Sequence, residues 1–293
     1  MTAMREKGYS LGIICKYVGI SRQAYHKRIK RQITKGHLCK KLEDIVISNR
    51  KKRSRVGLRK IYYKENLTAL LGVNQFENKM SNLGYALKPY RSYLKTTDSR
   101  GHHYKFYNLI SGIDIKGENQ VIVGDISYYR SHEVLYYIFH FIDYYTLEIK
   151  GLIADTTMMG LNAEKCLRQV FAYNNQREYN NKLIMHTDGG GQYRSDKFQA
   201  MLQSSKILPS HARNCFENGL SERCNGIIKN EYLVDYDIKS VSHLNSVLKR
   251  IKHEMNEVWP SQVLGYKTPM EFANWARDQH EIDRPVRTVK IVH

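Results

Sequence analysis

The pattern of apolar and polar positions changes character about two fifths of the way along the chain. Over residues 10 to 87, apolar side chains recur at helical spacing. One helix is expected to end at Gly19, and Ser21 is placed to cap a second one. This punctuation is typical of a helix-turn-helix, although a plain helical hairpin has the same spacing.

Strand patterns replace helical ones after residue 119. Three consecutive strands are predicted at 120–128, 134–143 and 147–154, because these runs are rich in Ile, Val, Tyr and Phe. The elements predicted next, in chain order, are helix 159–175, strand 183–186, helix 195–206, the brief strand ILPSHA and helix 217–233. This order predicts an α/β fold with a mixed sheet covered by helices on both faces.

These patterns divide the chain into four predicted parts. A helical region over residues 1–87 is followed by a polar, basic and aromatic linker at 88–118. The α/β core is expected over 119–280, and it includes C-terminal helices, one of which begins near Thr268. Residues 281–293 are expected to form a tail.

The net charge of +19 is concentrated in the first part of the chain. Residues 1 to 120 hold 26 Lys and Arg against 8 Asp and Glu, whereas residues 121 to 293 hold 21 against 20. A generally basic surface would not divide so sharply. The division predicts a polyanion-binding region, with double-stranded DNA as the partner, joined to a nearly neutral domain.

Other classes of protein are disfavoured by composition. No apolar run reaches the roughly 18 to 20 residues that span a bilayer, and the amino terminus lacks the apolar segment of a secretory signal. A cytoplasmic protein without a membrane partner is therefore expected. The five cysteines include no CxxC pair and no grouping with histidine at finger spacing, so neither a disulfide framework nor a zinc site is predicted.

Two groups of basic and polar residues are expected to face DNA. The start of the second helix would expose side chains of the types that contact phosphates and base edges, namely Ser21, Arg22, Gln23, His26 and Lys27. A further basic cluster, which adds to the same charge excess, consists of Arg50, Lys51, Lys52, Arg53 and Arg55.

Three acidic residues stand in settings that suit catalysis. Asp125 interrupts an apolar strand, Asp188 ends a strand before three glycines, and Glu222 lies in a stretch with helical spacing. Each acid alone would more often be structural or on the surface. Together, three converging carboxylates have the ligands to hold two divalent cations, an arrangement suited to phosphodiester chemistry.

The helix predicted at 217–233 has two distinct faces. At roughly 100° per residue, four polar residues fall within roughly 60° of one another: Asn218, Glu222, Asn225 and Lys229. The opposite side carries Leu220, Cys224, Ile227 and Ile228. One face is therefore expected to be buried, while the other presents a carboxylate flanked by amides and a cation.

Motifs along nearly the whole chain resemble one known family. VGDISYY, HTDGGGQYRS and ENGLSERCNGIIKNEYL are similar to the first-Asp, second-Asp and Glu motifs of bacterial insertion-sequence DDE transposases that are encoded in two overlapping frames. GISRQAYHKR resembles the amino-terminal DNA-binding segment of that family, and LKTTDSRGHHYKFYNLI resembles its linker. The family is related to retroviral integrases, and its motifs in this order are highly specific.

The resemblance implies a ribonuclease H-like core with a mixed five-stranded sheet and flanking helices. Asp125, Asp188 and Glu222 would bind two Mg²⁺, with Mn²⁺ able to substitute, for cleavage and joining of DNA strands at the inverted-repeat ends of an insertion sequence. Asn225 and Lys229 would position the end of the element, and the amino-terminal helices would recognise its repeats. Further implications are a homo-oligomer on DNA, an upstream-frame fusion partner and a bacterial, nucleoid-associated location.

Two alternatives remain open at this point. Asp188 and Glu222 are 34 positions apart, slightly fewer than is usual in the family, and Gly189 replaces the Arg that usually follows the second Asp. A catalytically decayed copy that represses transposition by binding DNA is the first alternative. The second is a ribonuclease or junction-resolving nuclease with the same metal pair, which would not need the long basic helical region.

Overall fold

The structure is a computed structural model that describes Met4 and residues 6–88, 107–174, 183–213 and 215–289. Most of the predicted linker and the end of the predicted tail lie outside the described residues. Within the described residues, no helix is both long and apolar enough to cross a membrane.

Helices precede the large sheet, cover it and follow it in the described part of the chain. In chain order they are α1 (Leu11–Val18), α2 (Arg22–Lys52), α3 (Leu58–Lys64), α4 (Val73–Asn82), α5 (Gly160–Asn174), α6 (Asp196–Ser204), α7 (Gly219–Ile227), α8 (Val241–His253) and α9 (Pro269–Asp278). Two of them, α7 and α8, continue into wider π-helical turns at Ile228–Tyr232 and Glu254–Val258.

The strands form one large and one small sheet. They are β1 (Asp114–Ile115), β2 (Val121–Ser131), β3 (Val134–Asp143), β4 (Ile149–Asp155), β5 (Ile184–Thr187), β6 (Leu208–His211) and β7 (Arg287–Thr288). The order in the large sheet is β4-β3-β2-β5-β6. β2, β3 and β4 are antiparallel, whereas β5 and β6 run parallel to β2. The predicted mixed five-stranded sheet is thereby confirmed.

Each face of the large sheet is covered by helices, as predicted. On one face, α5 and α6 pack through Cys166, Leu167 and Phe198 against Ile122 and Phe139 of the strands. On the other face, α7 and α8 contribute the buried residues Cys224, Leu244, Val247, Leu248 and Ile251. This second face therefore has α7, the helix of Glu222, directly above the central strand β2.

The helix break at Gly19 and the helix cap at Ser21 are present as predicted, whereas a DNA-binding helix-turn-helix stays a prediction. Gly19 adopts a left-handed φ of 73°, and the Ser21 hydroxyl accepts a hydrogen bond from the Ala24 backbone N–H at 3.0 Å. α2 then continues for 31 residues. Residues 41 to 52, part of the helical pattern predicted over 10 to 87, are thus the last part of α2, because neither a proline nor a capping sequence ends the helix before Arg53.

The last part of α2 packs on the core of the protein. Leu42, Val46 and Asn49 are its buried residues, and the two apolar ones join the hydrophobic cluster that includes Cys224 and Ile228 of the core. Residues 22 to 40 are mostly exposed. The boundaries predicted between the helical region and the core remain predictions, yet the two regions share one hydrophobic cluster.

Two structural features lie near the carboxyl terminus, the capped helix α9 and the short strand β7. α9 begins with a capping box, in which Thr268 and Glu271 each bond the backbone of the other, and Pro269 occupies the first turn as expected. β7 lies within the residues assigned to the tail and pairs with β1. These two-residue strands were not predicted, because so short a segment has no alternation to detect.

Candidate active site

Asp125 lies in the middle of β2 on the face covered by α7. Strand side chains alternate between faces, so Asp125 points to the same side as the buried Val121 and Val123. The Asn225 side-chain N–H of α7 donates a hydrogen bond to Asp125 Oδ2 at 2.8 Å. The helix is thus attached directly to the carboxylate of the central strand.

Asp188 lies directly after β5, beside Asp125. Val123 of β2 pairs in parallel with His186 of β5, and the two acids each lie two residues further along their strands. The turn that follows needs glycine: Gly189 has a φ of 73°, and a Cβ on Gly190 would lie 3.2 Å from Asp188 Oδ1. The Gly190 N–H donates to that same oxygen at 3.0 Å.

Glu222 lies in the first turn of α7 with its side chain exposed. Asn218, the residue before the helix, donates its side-chain N–H to the Gly124 carbonyl at 3.1 Å. Ser221 and Cys224 are buried on the opposite side. Asn218 and Asn225 therefore tie both ends of this helix segment to adjacent residues of β2, and Glu222 lies between them.

The three carboxylates interact through their charges. Burial raises the pKa of Asp125 to about 7, and the negative charges of Asp188 and, to a smaller extent, Glu222 add to that rise. Hydrogen bonds from the Ile126 backbone and from Asn225 act in the opposite direction. A cation placed among these oxygens would favour the charged carboxylate, which buried like charges otherwise disfavour.

The donor set at this site fits a hard divalent cation. All three acids offer carboxylate oxygens, the ligands that Mg²⁺ prefers. The side-chain oxygen of Asn225 is buried beside them without a hydrogen-bond partner among the described residues. As they stand, no three His, Cys, Asp or Glu side chains of the described residues are grouped to hold a metal ion.

Lys229 occupies a different backbone setting from the one that was predicted. The prediction of a regular helix over 217–233 is wrong for its last part, because α7 ends at Ile227 and a π-helical turn follows. Lys229 is in that turn and is half-buried. Burial lowers the pKa of Lys229, while the charge of Asp125 opposes this effect, which indicates that the ammonium lies near that carboxylate.

Two tyrosines whose pKa values the acids affect were missed by the sequence analysis. The Tyr193 hydroxyl is buried with no hydrogen-bond partner among the described residues. Burial raises the pKa of Tyr193 well above its usual value, and the charges of Asp188 and Asp125 contribute. Burial and these same acids also raise the pKa of Tyr128. The position of Tyr193 directly after the glycine turn was the available signal.

The residues predicted to bind DNA lie in the first part of α2, apart from the acids. Arg22, Gln23, His26 and Lys27 are exposed on the first two turns, and the hydroxyl of Ser21 caps the helix. Within the described part of the chain, no hydrogen bond or ion pair joins this group to the three acids. Asn225, by contrast, bonds Asp125 directly, and Lys229 is close enough for the charge of Asp125 to affect its pKa.

The residues of the basic cluster at the end of α2 do not all face solvent. Lys51 and Lys52 are exposed, but the Arg53 side chain is only 1% exposed. The expectation that Arg53 faces DNA is therefore wrong. Its guanidinium points inward because Glu231 and Tyr232, which are distant in sequence, provide a carboxylate and a hydroxyl as acceptors.

Comparisons with known proteins agree with this geometry. Two family models, each described as an integrase core domain, match residues 116–214 and 203–269, which together span slightly more than half of the chain. The first range contains Asp125 and Asp188, and the second contains Glu222. The chain belongs to the insertion-sequence DDE transposases with an integrase-like core. This transposase is accordingly a DNA-acting polynucleotidyl transferase.

Relatives of this transposase match over most of its length. It is 24% identical to the transposase for insertion sequence element IS904 of Lactococcus lactis, over 85% of this chain and 99% of that protein. It is 26% identical to the 31 kDa protein of insertion element IS600 of Shigella sonnei, over 80% of this chain and 88% of the relative. Among solved structures, the HTLV-2 integrase catalytic core in complex with magnesium aligns with 54% of the chain and 97% of its own length, at 21% identity and a TM-score of 0.43.

Proposed function

We propose that this transposase cleaves and joins DNA strands at the inverted-repeat ends of an insertion sequence, with Asp125, Asp188 and Glu222 as its catalytic carboxylates. One observation supports the proposal: Asp188 after β5 and Glu222 on α7 lie close enough to Asp125 on β2 for their negative charges to raise its pKa. Neither the sheet nor the helix needs these like charges around Asp125 for stability, since they make its ionisation harder.

The three carboxylates would hold two Mg²⁺ ions, and Mn²⁺ would substitute. When bound, such ions supply the charge that activates a water or a terminal 3′-hydroxyl and stabilises the leaving oxygen. Asn225 keeps Asp125 oriented through its 2.8 Å hydrogen bond. The Lys229 ammonium is near enough to interact with Asp125 and would also neutralise a phosphate of the bound element end.

The amino-terminal helices would hold the substrate. Ser21, Arg22, Gln23, His26 and Lys27 lie at the start of α2, where a helix presents both side chains and backbone N–H groups to DNA. Two ends must be processed for one element to move, so we expect at least a dimer on DNA. An upstream-frame fusion and association with the bacterial nucleoid belong to the same proposal.

Cleavage of a labelled duplex tests the proposal. The duplex contains the terminal repeat from the DNA that flanks the gene, and the native protein is compared with Glu222→Gln in Mg²⁺ and in EDTA. Because Glu222 is exposed, the variant should fold and bind DNA normally. Nicking at the repeat terminus should require Mg²⁺ and fall by at least about a hundredfold in the variant.

The result would separate the proposal from its alternative. Specific binding without metal-dependent cleavage would favour a decayed copy that represses transposition, for which the short connection between Asp188 and Glu222 is the supporting feature. Cleavage of any duplex or RNA without preference for the repeat would favour a general nuclease.

A further inference from the structure

Arg53 lies at the junction between α2 and the segment that follows the helix of Glu222. Its Nη1 donates to the Tyr232 hydroxyl at 2.9 Å, and its Nη2 binds the Glu231 carboxylate. The guanidinium also lies 3.9 Å from the centre of the Tyr232 ring and 5.3 Å from that of Trp259. A buried cation thus has a carboxylate, a hydroxyl and two aromatic faces as partners.

Neighbouring contacts hold the same segment. Lys60 Nζ is 3.5 Å from Glu231, and the backbone N–H and hydroxyl of Ser54 both bind the Asp235 carboxylate. All of these donors come from the end of α2 and the start of α3, whereas the acceptors lie between residues 231 and 235. The amino-terminal region therefore binds one short stretch of the catalytic core, residues 231 to 235.

That stretch includes the π-helical turn with Lys229. The turn is closed by the Leu233 N–H, which donates to the Ile228 carbonyl five residues earlier. Such wide turns interrupt an α-helix at a cost and occur often at functional sites. Here Arg53 binds the last two residues of the turn, Glu231 and Tyr232. Lys229 lies two residues before Glu231 in the same turn, close enough to Asp125 for the two charges to interact.

α2 connects these contacts with residues 231 to 235 to the predicted DNA-binding residues. With 31 residues the helix is about 46 Å long. Its first part is mostly exposed, and its last part is fixed to the core by Leu42 and Val46. DNA bound to the exposed part would therefore act through a continuous helix on Arg53, which lies immediately after the last helical residue.

We propose that Arg53 is a positioning residue that couples DNA binding on α1 and α2 to the placement of Lys229 beside Asp125. The proposal rests on the function proposed above. Within the described residues, Arg53 bonds none of the three catalytic acids, and its side chain is too buried to contact DNA. It acts through Glu231 and Tyr232, which form the end of the turn.

Hydrogen exchange measured by mass spectrometry tests the coupling without requiring catalysis. Exchange is followed in the full chain with and without a duplex bearing the terminal repeat, in the native protein, Arg53→Gln and Arg53→Lys. In the native protein, DNA should slow exchange at Ile228–Asp235 as well as at α1 and α2. In Arg53→Gln the effect at α1 and α2 should remain while that at Ile228–Asp235 is lost, with Arg53→Lys intermediate.

Arg277→Gln is the matched control. Arg277 makes a two-pronged ion pair with Glu118, at 2.9 and 3.0 Å, but it belongs to α9. This variant should respond to DNA at Ile228–Asp235 as the native protein does. If Arg53→Gln does not fold, Tyr232→Phe removes one acceptor while the ring remains, and it should weaken the response at the same residues.

Single-turnover cleavage gives a second measurement. Arg53→Gln should bind the duplex within about threefold of the native affinity but cleave about tenfold to a hundredfold more slowly, as expected for a misplaced active-site group. The losses from Arg53→Gln and Glu231→Gln should not add, since both act on one contact. Arg277→Gln should cleave at close to the native rate.

The two proposals fail in different ways. A native protein that binds the duplex but does not cleave it counts against the proposed function, while exchange still decides the role of Arg53. The coupling is overturned if DNA leaves exchange at Ile228–Asp235 unchanged in the native protein. It is also overturned if Arg53→Gln shows the native response, or if its cleavage rate falls only as far as its affinity.

Discussion

The acidic site and the Arg53 junction differ in the neighbours that they give to a buried charge. Asp125 has two other carboxylates for neighbours, and their charges make its ionisation harder. Arg53 is even more completely buried, but it has an opposite charge, a hydroxyl and two aromatic rings around it. A charge left uncompensated by the protein indicates a place for a ligand, whereas a compensated one indicates a structural contact.

The largest effect on stability should come from removing the compensated charge. Arg53→Ala removes a fully buried side chain and leaves the buried Tyr232 hydroxyl without its arginine partner, while Glu231, which is 31% exposed, keeps Lys60. The lost packing and hydrogen bonds together should cost about 3 to 5 kcal/mol. Arg59→Ala is the control, because the Arg59–Glu77 pair is substantially exposed and should contribute about 1 kcal/mol or less. Urea unfolding measures both, and equal losses would contradict the comparison.

Removing the uncompensated charge of Asp125 should have the opposite effect and stabilise the fold. Because the folded protein raises the pKa of Asp125 to about 7, the native fold loses stability as pH rises from the ordinary aspartate range through 7. Asp125→Asn removes this loss and should be more stable than the native protein by about 2 to 4 kcal/mol at pH 8 without metal. The difference should disappear below pH 4. Unfolding in EDTA across this pH range provides the measurement, and a destabilised variant at pH 8 would contradict the account.

Divalent metal should remove part of the same penalty. Mg²⁺ at about a hundred times its dissociation constant would stabilise the fold by up to about 2.7 kcal/mol, and more at pH 8 than at pH 6, since ionised carboxylates bind it. Thermal melting with and without Mg²⁺ would show this. Asp188→Asn is the informative variant, and an unchanged response in it would place the metal elsewhere.

The smallest predicted effect concerns the rim of the Arg53 junction. Ser54→Ala removes the hydroxyl contact with Asp235, but both residues are exposed and the Ser54 N–H still donates to that carboxylate at 2.9 Å. A loss of about 0.5 kcal/mol or less is expected in urea unfolding. A loss close to that of Arg53→Ala would mean that the junction depends on its rim rather than on the buried arginine.

The sheet and its covering helices were predictable because their signals are local. Apolar runs gave β2, β3 and β4 within a few residues, and the Asp188 turn was marked by three glycines. The convergence of the acids was inferred from these settings together with the family resemblance. The strand register determines how two of the acids meet, because the pairing of Val123 with His186 brings Asp125 beside Asp188.

The Arg53 junction was not predictable from local pattern. Its hydrogen bond to Tyr232 joins residues 179 positions apart, and a basic run is ordinarily read as an exposed face. The π-helical turn was missed for a similar reason: helical periodicity continues through it, and only its contacts with the amino-terminal region distinguish it. The full length of α2 was not predicted, because residues 30 to 40 are largely polar and carry little apolar periodicity.

The central claim is that Asp125, Asp188 and Glu222 together hold the metal that transfers DNA strands. Fe²⁺ with ascorbate and peroxide, which cuts a polypeptide beside a bound metal, tests it directly on the full chain with duplex DNA. The account predicts cuts near all three acids, suppressed by excess Mg²⁺ and lost in Asp188→Asn. Cuts at other segments, or cuts that persist in the variant, would contradict it.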